Sequence, residues 1–177
     1  MASVEDALVG ISQFYGWLLL LYAVHRAAHR VAFLRRFHLD HHRNIALAGE
    51  PQRWHWSNLL LCNNTVKSTI DLWLTEVVPT FLFAAAFNAW WVAVFYYLWA
   101  AFLQESLEHS PRTDLCGFTF GKWHLIHHRN VKANFGLFVP FWDIMFGSNV
   151  PVEMGGRGLQ RCTKQGEQHD YDKRSGR

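Results

Sequence analysis

The chain has 177 residues, one domain's length; half are hydrophobic and 16% aromatic, with nine Trp and fourteen Phe. Only 18% are charged, against ~25% in ordinary soluble domains, and the apolar excess sits in two blocks, a pattern that favours a membrane over one large soluble core. The net charge of +3 is modest. Its basic concentration (Arg26, Arg30, Arg35, Arg36, Arg43) directly follows an apolar run, which points to an anionic membrane surface and away from nucleic acid. Three scattered cysteines, Cys62, Cys116 and Cys162, lack CxxC spacing and argue against a disulfide framework.

In chain order, residues 7–24 carry no charge. As a helix they reach ~27 Å, near the thickness of a hydrocarbon core. Glu5 and Asp6 precede them in place of a basic n-region, and no small-residue cleavage site follows, so a transmembrane helix is expected and not a signal peptide. The second block runs from about Thr69 to Leu103, uncharged over the 27 residues from Val77. That is too long for one straight span, and Phe87–Asn88 is the natural turn of a helical hairpin. Each arm is short for a full crossing. Trp90, Trp91, Tyr96, Tyr97 and Trp99 suit interface belts or helix packing. The segments 25–68 and 106–160 are mixed and hold nearly all the histidines. From Gln160 the chain is polar and is expected to form a disordered tail, giving one ordered domain over 1–159 and a tail over 160–177. The positive-inside rule puts residues 25–68 in the cytoplasm, and the hairpin returns the chain to the same side, so that every histidine group shares one face of the membrane.

Those groups are His25-x-x-x-His29, His38-x-x-His41-His42, Glu105-x-x-x-His109 and His124-x-x-His127-His128. On a helix, positions i and i+4 lie ~40° apart, so His25 with His29, and Glu105 with His109, can address a common centre. In HxxHH the three rings span an arc of ~100° and are expected to converge. Neutral imidazole is a common ligand of iron, zinc and copper. Four such faces supply ten donors, nine nitrogens and one carboxylate, sufficient for two metals with positions left for oxygen. One HxxxH arises readily from packing or chance; two HxxHH boxes with HxxxH upstream and a histidine between do not. His55, in Trp54-His55-Trp56, is expected at an interface or in the core, and His169 in the solvated tail.

The order HxxxH, HxxHH, a central His and HxxHH, followed by Asn134-Phe135-Gly136 and Trp142-Asp143-x-x-Phe146-Gly147-Ser148, resembles the fatty acid hydroxylase/sterol desaturase superfamily over roughly residues 20–148. The resemblance implies an all-α integral membrane helical bundle whose cytoplasmic histidine-rich helical cap holds a dinuclear metal site. It implies two iron ions, with zinc or another metal able to replace them in a purified sample, and O2 as co-substrate. The activity implied is hydroxylation or desaturation of an unactivated C–H bond in a lipid-like or hydrophobic substrate. No cytochrome, flavin or nucleotide motif stands in the sequence, so an external ferredoxin- or cytochrome-like electron donor is implied. Several relatives carry His where this chain has Glu105, which either ligates directly or orients a ligand histidine. Asn134 and Asp143 either hydrogen-bond ligand histidines or make a turn and a helix cap. A carotenoid ring hydroxylase and a non-catalytic membrane metal-binding protein are the competing readings; the Trp142–Gly147 stretch disfavours the first, and the near-complete ligand boxes disfavour the second.

Overall fold

A computed structural model describes residues 3–48, 54–113, 115 and 117–151; the tail expected from Gln160, His169, Cys116 and Cys162 lie outside these. The described residues are helical and contain no strand. The first helix, α1 (Val4–Ala28), opens with a capping box: the Ser3 hydroxyl accepts from the Asp6 amide and Asp6 Oδ2 accepts from the Ser3 amide, satisfying two otherwise orphaned donors. Its buried stripe is Trp17, Leu18, Leu21, Tyr22, His25 and Ala28. His25 thus continues the face that packs the core, and burying Leu21 carries the imidazole inward with it. The helix continues about one turn past the C-terminal end of the uncharged run, and that turn delivers His25 and, as its C-cap, His29.

After a break at Arg30–Val31, α2 (Ala32–Ala48) carries His38, His41 and His42. A short 3-10 turn (Trp56–Leu60) is capped by exposed His55, whose ring accepts from the Ser57 amide; this histidine serves a local turn. Then come α3 (Val66–Leu72), a π turn (Trp73–Val77) and α4 (Val78–Ala86). Pro79 explains the π turn. It has no N–H for the Thr75 carbonyl and its ring would crowd that oxygen, so the helix widens just before it, and the Val78 amide bonds to Trp73 O, five residues back.

The expected hairpin turn is present: Phe87 ends α4, Asn88 takes φ 49°, and α5 (Trp90–Phe102) returns. Asparagine tolerates this left-handed conformation better than most residues. The arms are unequal. Val66–Ala86 is one 21-residue apolar helix, reaching ~31 Å, whereas the 13 residues of α5 reach ~20 Å. Like Val66–Ala86, α1 is long and apolar enough to cross a membrane. Only 22% of the most apolar part of α1 is buried, unlike the core helix of a soluble protein, and Phe81, Leu82, Val94, Leu98 and Phe102 also point outward.

Between the helices lies an aromatic core. Trp17, fully buried, donates from its indole to Thr80 Oγ1 at 2.9 Å and packs on Tyr96 and Phe138. The short α6 (Gln104–Leu107) follows α5, and α7 (Lys122–Arg129) brings the last histidine box. Gly121 fixes where α7 begins: at φ +74° a Cβ there would fall 2.3 Å from Thr113 O, so only glycine fits. The final helix, α8 (Phe141–Met145), is pinned to α1 by the Trp142 indole, which donates to Tyr15 O at 3.0 Å.

With this outward apolar surface, the chain is expected to stay with membranes through high-salt and alkaline carbonate washes and to require detergent. Release as a soluble monomer by either wash would contradict it.

Candidate metal centre

The nine boxed histidines fall into two groups, each with its donor atoms within 4.8 Å of one another: His25, His29, His38, His42 and His127, and beside them His41, His109, His124 and His128. Each HxxHH box therefore straddles both groups, a correction to the expectation that its three rings converge. On α2, His38 and His42 are one turn apart and share a face, while His41 is rotated ~100° from His42 and turns to the second group. On α7 the division is inverted: His124 and His128, again one turn apart, serve the second group and His127 the first. The groups are adjacent, with the rings of His42 and His128 at 4.2 Å between centroids.

In the five-histidine group, His25 Nε2 and His29 Nε2 each lie 3.0 Å from His127 Nε2, His38 Nε2 lies 3.0 Å from His29 Nε2, and His42 Nε2 lies 3.1 Å from His38 Nε2. These are not hydrogen bonds throughout. His25 Nδ1 donates to Phe135 O at 2.9 Å and His127 Nδ1 donates to Ala133 O at 2.7 Å; a carbonyl only accepts, so each Nδ1 carries the proton. In the neutral rings both Nε2 atoms are then bare lone pairs, and neither can donate to the other. Lone pairs facing at 3.0 Å repel unless a cation lies between them. Two nitrogens ~2.1 Å from one metal at a right angle are ~3.0 Å apart, the spacing seen. The donor set therefore fits a metal ion.

Burial keeps the rings neutral. It pushes His41 and His127 down to about 4, and burial with mutual repulsion between rings pushes His29 to about 3 and His42 to about 2. The same causes hold His38, His109, His124 and His128 below the usual histidine range. Metal binding requires this neutral form.

In the four-histidine group, His124 Nε2 and His128 Nε2 are 2.9 Å apart. Both ring nitrogens of His109 are buried without a hydrogen-bond partner among the described residues. α6 ends at Leu107, so His109 lies past the helix, and the i, i+4 relation expected between Glu105 and His109 does not govern this segment. Glu105 is buried with Oε2 unpartnered and lines a cavity beside the rings with Asp71, Glu76, Glu108, His41 and His109. Burial pushes its carboxyl up to about 7.

Asn134 and Asp143, fully buried, hydrogen-bond backbone and Ser148, and among the described residues neither bonds a histidine ring. Asp143 accepts from the amides of Phe135 and Gly136 at 2.8 and 2.7 Å and from Ser148 Oγ at 2.8 Å. Gly136 admits this, because a Cβ there would stand 2.7 Å from Asp143 Oδ2. Asn134, at φ 59°, donates to Val150 O at 3.0 Å and accepts from the Val150 amide at 2.7 Å. Together they shape the loop whose carbonyls, on Ala133 and Phe135, orient His127 and His25.

Sequence reasoning missed Asp71. Its carboxylate, 5% exposed, accepts from His38 Nδ1 at 2.9 Å, doing for His38 what the loop carbonyls do for His25 and His127. The available signal was a charged residue on a largely apolar helix, a signal it shares with Lys67 and Glu76.

Two outcomes follow. Asp71→Asn is expected to weaken metal retention at the five-histidine group by roughly 10–100-fold, measured by chelator competition; unchanged retention would remove Asp71 from this role. The metal-free protein is expected to lose stability as pH falls from the ordinary histidine value, 6.5, toward about 4. Rings held neutral in the fold are protonated there in the unfolded chain, which then binds more protons. A melting temperature flat across that window would contradict it.

No solved structure matches this chain. A family model described as fatty acid hydroxylase matches residues 11–148, from the first apolar helix through all four boxes to Ser148, and with its histidines gathered into metal-competent groups the chain belongs to the fatty acid hydroxylase family.

Proposed function

We propose that this chain is a membrane-embedded oxygenase that hydroxylates or desaturates an unactivated C–H position of a lipid-like substrate at a two-iron centre facing the cytoplasm. The observation that carries this reading is the pair of adjacent imidazole groups, one of them with the lone pairs of His25 and His127 facing at 3.0 Å. His25, His29, His38, His42 and His127 would hold one iron, His41, His109, His124 and His128 the other, with a carboxylate as the tenth donor, for which Glu105 is the residue the sequence suggests. Bound iron would supply dioxygen reduction and hydrogen-atom abstraction.

The protein's part is to hold and to exclude. Phe135 O, Ala133 O and Asp71 keep the His25, His127 and His38 rings turned with Nε2 inward. Burial of His25, His38, His42, His109, His124 and His127 keeps water from the donors. The outward apolar faces of α1, α4 and α5 suit a substrate that arrives from the bilayer. Insertion of one oxygen atom also consumes two electrons and two protons, and an external ferredoxin- or cytochrome-like protein is the proposed electron source. The arginines after α1 favour the cytoplasmic side for the whole cap.

Lipid extracts of cells with and without the chain, compared by mass spectrometry, test the activity. A compound that gains one oxygen or loses two hydrogens, only under aerobic conditions, is expected. His127→Ala and His41→Ala should each abolish it and lower metal content together. An unchanged lipid profile in cells with the required donor, or full activity in either variant, would contradict the reading.

A further inference from the structure

The four-histidine group has one ring fewer than its neighbour, and the residue that approaches it is Glu108. Glu108 Oε1 lies 3.8 Å from His124 Nε2, with the two side chains 5% and 7% exposed. That is too long for a hydrogen bond. It also lies on the inward side of the ring: His124 Nε2 is the atom that faces His128 Nε2 at 2.9 Å, the edge where a metal belongs. Two donors each ~2.1 Å from one ion stand between ~3.0 Å apart, at a right angle, and ~4.2 Å apart, when opposed, and 3.8 Å falls inside that range.

Independent observations point the same way. Glu108 Oε2 is buried without a hydrogen-bond partner among the described residues, and so are both ring nitrogens of His109, the next residue. Gln104 hydrogen-bonds the Glu108 carboxyl, but Oε2 and the buried His109 ring remain without partners, which is costly, and one cation between them satisfies both. The backbone holds Glu108 against α7: the Gly121 amide donates to Glu108 O at 2.8 Å, at the residue that starts the helix bearing His124 and His128. Glu105 Oε2 is likewise unpartnered, but Glu105 makes no such approach to a histidine ring among the described residues.

We infer that Glu108, and not Glu105, is the carboxylate donor to the metal of the four-histidine group. This rests on the two-metal reading above. It gives the two metals unequal surroundings, five imidazoles at one and four imidazoles with an anionic oxygen at the other. A hard anionic donor favours the more oxidised state of a metal.

The test is metal content per chain of the full-length protein, purified in detergent after loading with iron, for the wild type, Glu108→Gln and Glu105→Gln. The wild type and Glu105→Gln are expected to retain two metals, and Glu108→Gln one. The ion left at the five-histidine group shows that the variant has folded. Equal retention in the wild type and Glu108→Gln, or loss confined to Glu105→Gln, overturns the inference and leaves the two-metal reading intact. A wild type that retains no metal overturns both. If Glu108→Gln does not fold, Glu108→His decides: a ligand position accepts the imidazole and keeps two metals, and retention of one or none overturns the assignment.

Discussion

Imidazole lone pairs turned toward one another inside an apolar fold are the constraint on which the rest of this structure depends. At 3.0 Å, between rings whose other nitrogens already donate to carbonyls, they cannot stabilise one another, and burial has removed the option of protonation. Much of the local architecture serves to hold them there. The loop from Ala133 to Phe135 offers two carbonyls to two different rings. Asp143 and Asn134 stiffen that loop from behind. Asp71, on a helix that begins outside the apolar run, reaches a third ring. The fold spends stability to hold donors that a cation could relieve, as is common at functional centres.

Helix periodicity then divides the donors. A box of the form HxxHH was expected to gather three rings, yet its fifth residue shares a face with its first and its fourth does not. Two helices carrying the same box, α2 and α7, meet with that offset in opposite senses, so each gives two rings to one group and one to the other. Two histidine groups side by side are thus a consequence of 3.6 residues per turn and of two boxes packed together.

The apolar blocks, the hairpin turn at Phe87–Asn88 and all nine histidines were legible in the sequence, because hydrophobic runs and i, i+4 spacings are local signals. What was not legible depended on where elements end and what lies across from them. α6 stops at Leu107, so the spacing argument linking Glu105 to His109 had no helix to act through. Asp71 and Glu108 gain their meaning from rings 33 and 16 positions away in the chain, and no short-range pattern marks such pairs. Pro79 was not read from the sequence as a disturbance, and no local pattern says that a π turn would absorb it. Asn134 and Asp143 were marked by resemblance; their partners, backbone amides and carbonyls, carry no sequence signature.

The central claim is that each chain holds two metal ions in an imidazole-rich setting. X-ray absorption at the iron edge, on detergent-purified protein with its metal-to-chain ratio measured on the same sample, addresses it most directly. The account predicts two irons per chain, a shell of nitrogen and oxygen neighbours at ~2.1 Å with the outer-shell scattering of several imidazole rings, and no sulfur. One metal per chain, or a shell lacking imidazole scattering, would contradict it.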